Sequence, residues 1–157
     1  MRNEDEQIEG LLRGGVGDWA DEQVSSPTEF EDLDFHDFFS VTPDQVAQHV
    51  LRVGFPIGVV WAPGQPMEEK DDRYVVEPSG AIWKVYYTQR GCEQDCVNFA
   101  TREAAVFDVV MRVFESAWVM LGHRYWHAHH PELLCMPAFG VPWPRPKAPA
   151  SQGSLRM

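Results

Sequence analysis

The sequence is short of cysteine, of basic charge and of long apolar runs, and each shortage excludes something. Three cysteines in 157 residues make no disulfide framework and fit a reducing compartment. No run of about 18 apolar residues occurs, which excludes a transmembrane helix. The start, MRNEDEQIEG, has neither the basic region nor the apolar core of a secretion signal, so a cytoplasmic protein is expected. Thirteen basic residues face 24 acidic ones, a formal net charge of −11. That balance argues against direct nucleic-acid binding and against docking on an anionic membrane. It favours a basic protein partner. There is no G-x-S-x-G elbow, no phosphate-binding G-x-x-x-x-G-K-[ST] loop and no internal repeat.

The charge is uneven. Residues 1–40 hold 12 acids and two bases, whereas residues 41–157 hold 12 acids and 11 bases. The chain therefore reads as an acidic, partly disordered arm (1–40), a folded domain (41–135) and a Pro-rich tail (136–157). Gly10, Gly14, Gly15 and Gly17 interrupt the first part, which reads as weakly structured. In FEDLDFHDFF (30–39), Phe30, Phe35 and Phe38 interleave with Glu31, Asp32, Asp34 and Asp37. Two readings are open: aromatics packed on the domain, or an acidic-aromatic docking segment.

Thr42-Pro43-Asp44-Gln45 is a helix start, with Val46, Val50 and Val53 as the stripe and Gly54 as the stop. FPIGVVWAP (55–63) reads as a strand, and GQPMEEKDD (64–72) as a polar loop. Strands at 73–77 and 81–88 flank Pro78-Ser79-Gly80, and a short strand at 96–99 follows the turn at Arg90-Gly91. Thr101 caps a long helix over 102–121, with Gly122 as its end. Prolines from Pro137 to Pro149 recur too often for helix or sheet and leave an extended arm or a loose tail. The fold class is α+β: an antiparallel sheet of about four strands with two main helices packed on one face.

Chemistry-bearing residues are few. Cys92 and Cys96, with His123 and His127, have the composition of a tetrahedral zinc set, though a strand and a long helix separate the two pairs. The plainer reading is an exposed thiol pair and a histidine-rich segment, with no cofactor. Glu68, Glu69, Asp71 and Asp72 read as a solvated cluster or as a second acidic docking element. Trp126 either covers the domain or anchors an interface.

Residues 80–114 resemble bacterial immunity proteins of polymorphic toxin systems. The resemblance rests on Gly80, Trp83, Val85, Tyr87, Arg90 and Gly91 in a strand and turn, then Phe99, Thr101, Glu103 and Ala104 at a strand end and helix cap. It implies a cytoplasmic, non-enzymatic antitoxin that binds a cognate toxin. The acidic segments then become candidates for covering a basic substrate cleft, such as that of a nuclease or a nucleotide-consuming toxin. The alternatives are a small zinc-binding enzyme and an adaptor whose acidic arm binds some other basic partner.

Overall fold

The computed structural model describes residues 2–23 and 38–129. The first element corrects the reading of a weakly structured N-terminus. Helix α1 spans Glu4–Arg13 and starts on a capping box: Asn3 accepts from the Glu6 amide and Glu6 accepts from the Asn3 amide. Glu4, Asp5 and Glu6 lie at its positive end, and Gly14, at φ 84°, closes it with a bond to the Gly10 carbonyl. Ile8, Leu11 and Leu12 share its buried face. Helix α2 (Val16–Gln23) turns back and buries Val16 and Trp19. Gly10 is no helix breaker here. A Cβ on it would stand 2.0 Å from the Trp19 ring, so glycine lets α2 close on α1.

Helix α3 (Pro43–Val53) begins as expected, with a Thr42–Gln45 capping box. Val46, Ala47 and Val50 are buried, but Val53, expected on the same stripe, is 61% exposed. The strand expected over 55–63 contracts to β1, Val60–Trp61. Its preceding backbone is committed elsewhere. The Val59 amide donates to the Leu12 carbonyl at 2.9 Å, and Gly58 lies so close to α1 that a Cβ would meet that carbonyl at 2.1 Å.

The sheet runs β1-β2-β3-β4, with β2 Tyr74–Ser79, β3 Ile82–Gln89 and β4 Cys92–Phe99. The β2–β3 and β3–β4 pairs are antiparallel, whereas β1 joins β2 in parallel. Both hairpins have two-residue turns. Gly80 has φ 62°, and Arg90 and Gly91 have φ 52° and 77°. β4 is longer than expected and carries a bulge. Val85 pairs with Val97 but Tyr87 with Gln94, and Asp95 takes φ 52° to absorb the extra residue.

Helix α4 (Arg102–His129) runs through Gly122 instead of stopping there. Its buried apolar side chains among the described residues are Ala105, Val106, Val109, Val110, Val113, Phe114, Ala117 and Leu121. These join α1, α2, α3 and the inner residues Val76, Val85 and Phe99 in one core. Phe38 and Phe39 belong to that core, at 2% and 0% exposure. Phe38 is therefore packed inside and is not a docking residue; burying it removes a large apolar surface from water. The result is α+β, a four-stranded mostly antiparallel sheet with α3 and α4 packed against it. Trp61, Val75 and Tyr86 form a smaller cluster on the sheet's other face. No helix among the described residues is long and apolar enough to cross a membrane.

Candidate functional site

The acids of the N-terminal segment come first, because the fold places them differently from expectation. Glu4, Asp5, Glu6, Glu9, Asp18 and Glu22 are all exposed on α1 and α2. Glu9 pairs with Arg13 and Glu22 with Arg2, whose guanidinium also lies over the Trp19 ring at 4.7 Å. Glu4 and Asp5 have no ion-pair partner among the described residues. They line a groove of about 310 Å³ between α1 and α3, together with Asp44, Gln48, His49 and Arg52. Both helices are pinned by capping boxes at the ends where these acids stand. The groove thus carries three carboxylates on capped helix ends, with Arg52 also in its lining. Sequence reasoning missed Glu4, Asp5 and Asp44 as a set. The signal was Asn3-x-x-Glu6 ahead of Ile8, Leu11 and Leu12, a capping box before an apolar face.

Gln7 explains why α1 stays in place. It is 1% exposed, and its amide oxygen accepts from the Ser40 and Val41 amides at 2.8 and 3.2 Å. Its nitrogen donates to the Arg2 carbonyl and the Ser40 hydroxyl. One buried side chain therefore ties Arg2, ahead of α1, to Ser40 and Val41, ahead of α3.

The loop acids divide by role. The Asp71 carboxylate accepts from the Gly91 amide at 3.2 Å, tying the loop to the β3–β4 turn. Glu69 lies 3.5 Å from Arg73. Glu68 and Asp72 are exposed, the latter at φ 52°. Beside this loop, Lys70 crosses the outer sheet face. Its ammonium is 3.0 Å from Glu77 and 4.6 Å from the centre of the Trp61 ring. Glu77 also accepts from the Tyr86 hydroxyl at 2.5 Å. Burial alone would raise the Glu77 carboxyl, but the hydrogen bonds from Tyr86 and Lys70 and the charges of Lys70 and Lys84 hold it below its ordinary value. Burial and the same carboxylate push the Tyr86 phenol up. Lys84, bound to Glu93 at 3.0 Å, is raised chiefly by that hydrogen bond.

The candidate metal residues do not gather. Cys92 and Cys96 are exposed free thiols on β4. Arg112 of α4 donates to the Asp95 carbonyl at 2.9 Å, which fixes the helix level beside Cys96. His127 lies 15 residues further along α4, about 22 Å away at the helical rise. His123 and His127 sit on the helix, not in a loop; their side chains, and that of Trp126, lie outside the described residues. Among the described residues no group of three His, Cys, Asp or Glu side chains is placed to hold a metal ion. Phe30, Glu31, Asp32, Asp34, Phe35 and Asp37 lie outside the described residues too.

Near Cys96 a groove of about 590 Å³ is lined by Tyr74, Tyr87, Asp95, Arg112 and Glu115. The two tyrosines meet edge to face at 5.2 Å. Burial raises the Tyr74 phenol, against a hydrogen bond with Ser116. Arg112 is held by buried Asp108 at 3.1 Å, so its charge is largely compensated inside the fold.

Compared with protein-family models, with curated proteins and with solved structures, the chain matches none. The resemblance over residues 80–114 stands on its residues alone. In the fold those residues build β3, its turn, β4 and the first half of α4.

Proposed function

We propose that this chain is a cytoplasmic, non-enzymatic immunity protein that binds a cognate bacterial toxin through its acidic surfaces and covers a basic substrate cleft. The observation that carries this reading is the groove of Glu4, Asp5 and Asp44, held between two capped helices. Carboxylates carried on capped helices attract a basic protein with no backbone ordering at the encounter. A cleft built to hold phosphates, as in a nuclease or a nucleotide-consuming toxin, has the complementary charge. The acids at positions 29–37 and the exposed Glu68 and Asp72 extend the same sign of charge along the chain. The resemblance of residues 80–114 to immunity proteins supports the same class.

The test is co-expression with the toxic domain encoded beside this chain's gene. Growth arrest relieved by the chain, together with a stable complex of the two purified proteins, supports the proposal. A toxic neighbour left fully active, or a neighbourhood with no such gene, contradicts it.

A further inference from the structure

Two grooves beside α4 share Tyr74 and Tyr87 in their walls. One, of about 590 Å³, adds Asp95, Arg112 and Glu115. The other, of about 390 Å³, adds Arg13, Asp72, Arg73 and Ser116. Tyr74 and Tyr87 lie opposite each other on β2 and β3 and meet edge to face at 5.2 Å. Both are half-buried, and the Tyr74 phenol is hydrogen-bonded to Ser116 of α4, which holds its ring in place. Burial is the main cause of the raised Tyr74 phenol. The charges of Arg112 and Glu115 also act on it, the first lowering and the second raising it, so both groups stand near the ring.

The charges in these walls are unequally matched. Each base is held by an acid outside them: Arg13 by Glu9, Arg73 by Glu69 and Arg112 by Asp108. The acids have no such counterpart. Asp72, Asp95 and Glu115 are exposed and form no ion pair among the described residues. What remains is negative charge beside two phenol rings. A guanidinium suits that combination, because its plane stacks on an aromatic face and its fork of N–H groups donates to carboxylates. We propose that this cleft takes an arginine side chain of a basic protein partner, stacked on the Tyr74–Tyr87 pair and bound by Asp95 and Glu115. The larger groove falls in the roughly 300–1,000 Å³ range of ligand sites, which leaves room for the arginine and its neighbouring backbone. A second copy of the chain is a poor source of that arginine, since each copy has a formal net charge of −11. That the partner is a toxin rests on the function proposed above; the choice of a guanidinium rests on the cleft alone.

The test titrates the full chain with acetyl-arginine amide and follows the tyrosine rings by carbon–proton spectra. The Tyr74 and Tyr87 signals are identified by their loss in Tyr74→Phe and Tyr87→Phe. The proposal expects both to shift and saturate while Tyr86, across the sheet, stays fixed. Acetyl-citrulline amide, of the same shape without the charge, should leave all of them in place. An Asp95→Asn/Glu115→Gln variant should need about tenfold more arginine probe for half-saturation, the loss of one charge-assisted contact. Both substitutions are exposed, and asparagine tolerates the positive φ of 52° at position 95, so the circular dichroism should match wild type. Equal shifts with arginine and citrulline overturn the proposal, as does an unchanged half-saturation in the variant. Saturation of the same rings by inorganic phosphate also overturns it, because the arginines of the walls are then the binding groups. The toxic domain separates this site from the toxin reading. Equal binding to wild type and variant overturns the site and leaves that reading standing, whereas a chain that takes the arginine probe but no toxic domain supports the site and overturns the reading.

Discussion

Gln7 is the residue on which the N-terminal packing most depends. Its amide oxygen accepts from the Ser40 and Val41 amides, so Gln7→Ala leaves the buried Val41 donor without its partner. An unsatisfied buried group costs about 1–3 kcal/mol. Denaturant unfolding of Gln7→Ala should show a loss of about 2 kcal/mol, and Gln7→Glu should also destabilise, because it buries a carboxylate and loses the donor to the Arg2 carbonyl. Glu77 gives a pH signature. Its carboxyl is held below the ordinary 4.5 in the fold, so the anion stabilises the native state. That contribution is complete above about pH 4.5 and fades as pH falls through the lowered folded value. Glu77→Gln should therefore cost about 1 kcal/mol at pH 7, reduced by its partial exposure, and the gap to wild type should narrow below pH 4. A gap constant with pH would assign the loss to packing instead. The Tyr86 phenol runs the other way. Its neutral form is favoured in the fold, so stability falls as pH rises above 10 towards the raised folded value.

At the scale of elements, two capping boxes with the same chemistry met different fates in the sequence. Thr42-Pro43-Asp44-Gln45 was legible because proline and an uninterrupted stripe follow it. Asn3-x-x-Glu6 was obscured by Gly10, Gly14, Gly15 and Gly17. Those glycines serve local needs that no propensity scale contains: Gly10 admits the Trp19 ring and Gly14 ends α1 at positive φ. Gly122 shows the converse, since one glycine costs a helix only about 1 kcal/mol and α4 continues through it. The hairpins were legible from alternation and turn residues. The parallel β1–β2 pairing was not, because it depends on α1 capturing the Val59 amide. The candidate site was hidden for the same reason: Glu4 and Asp5 come to line one groove with Asp44 only because α1 joins the core of the domain. Two substitutions test this packing by thermal unfolding. Asn3→Ala should cost about 1 kcal/mol through the lost cap. Gly10→Ala should cost more, because the Trp19 ring must leave its place against Gly10. A neutral Gly10→Ala would contradict the observed closure of α2 on α1.

For the whole molecule, the net charge of −11 acquires a location. Part of the acid-rich N-terminus is not an arm at all. Residues 4–13 and 16–23 are helices sharing the core of the sheet domain, with their acids turned outward. The proposed basic partner would therefore meet a shaped surface, and the charges on it should govern the rate of encounter more than the lifetime of the complex. The most direct measurement is the association rate of the neighbouring gene's toxic domain with wild type and with Glu4→Gln/Asp5→Asn/Asp44→Asn, at several salt concentrations. The proposed role predicts association slowed about tenfold at low ionic strength, a weaker salt dependence and an unchanged fold by circular dichroism. An association rate and salt dependence equal to wild type would contradict it.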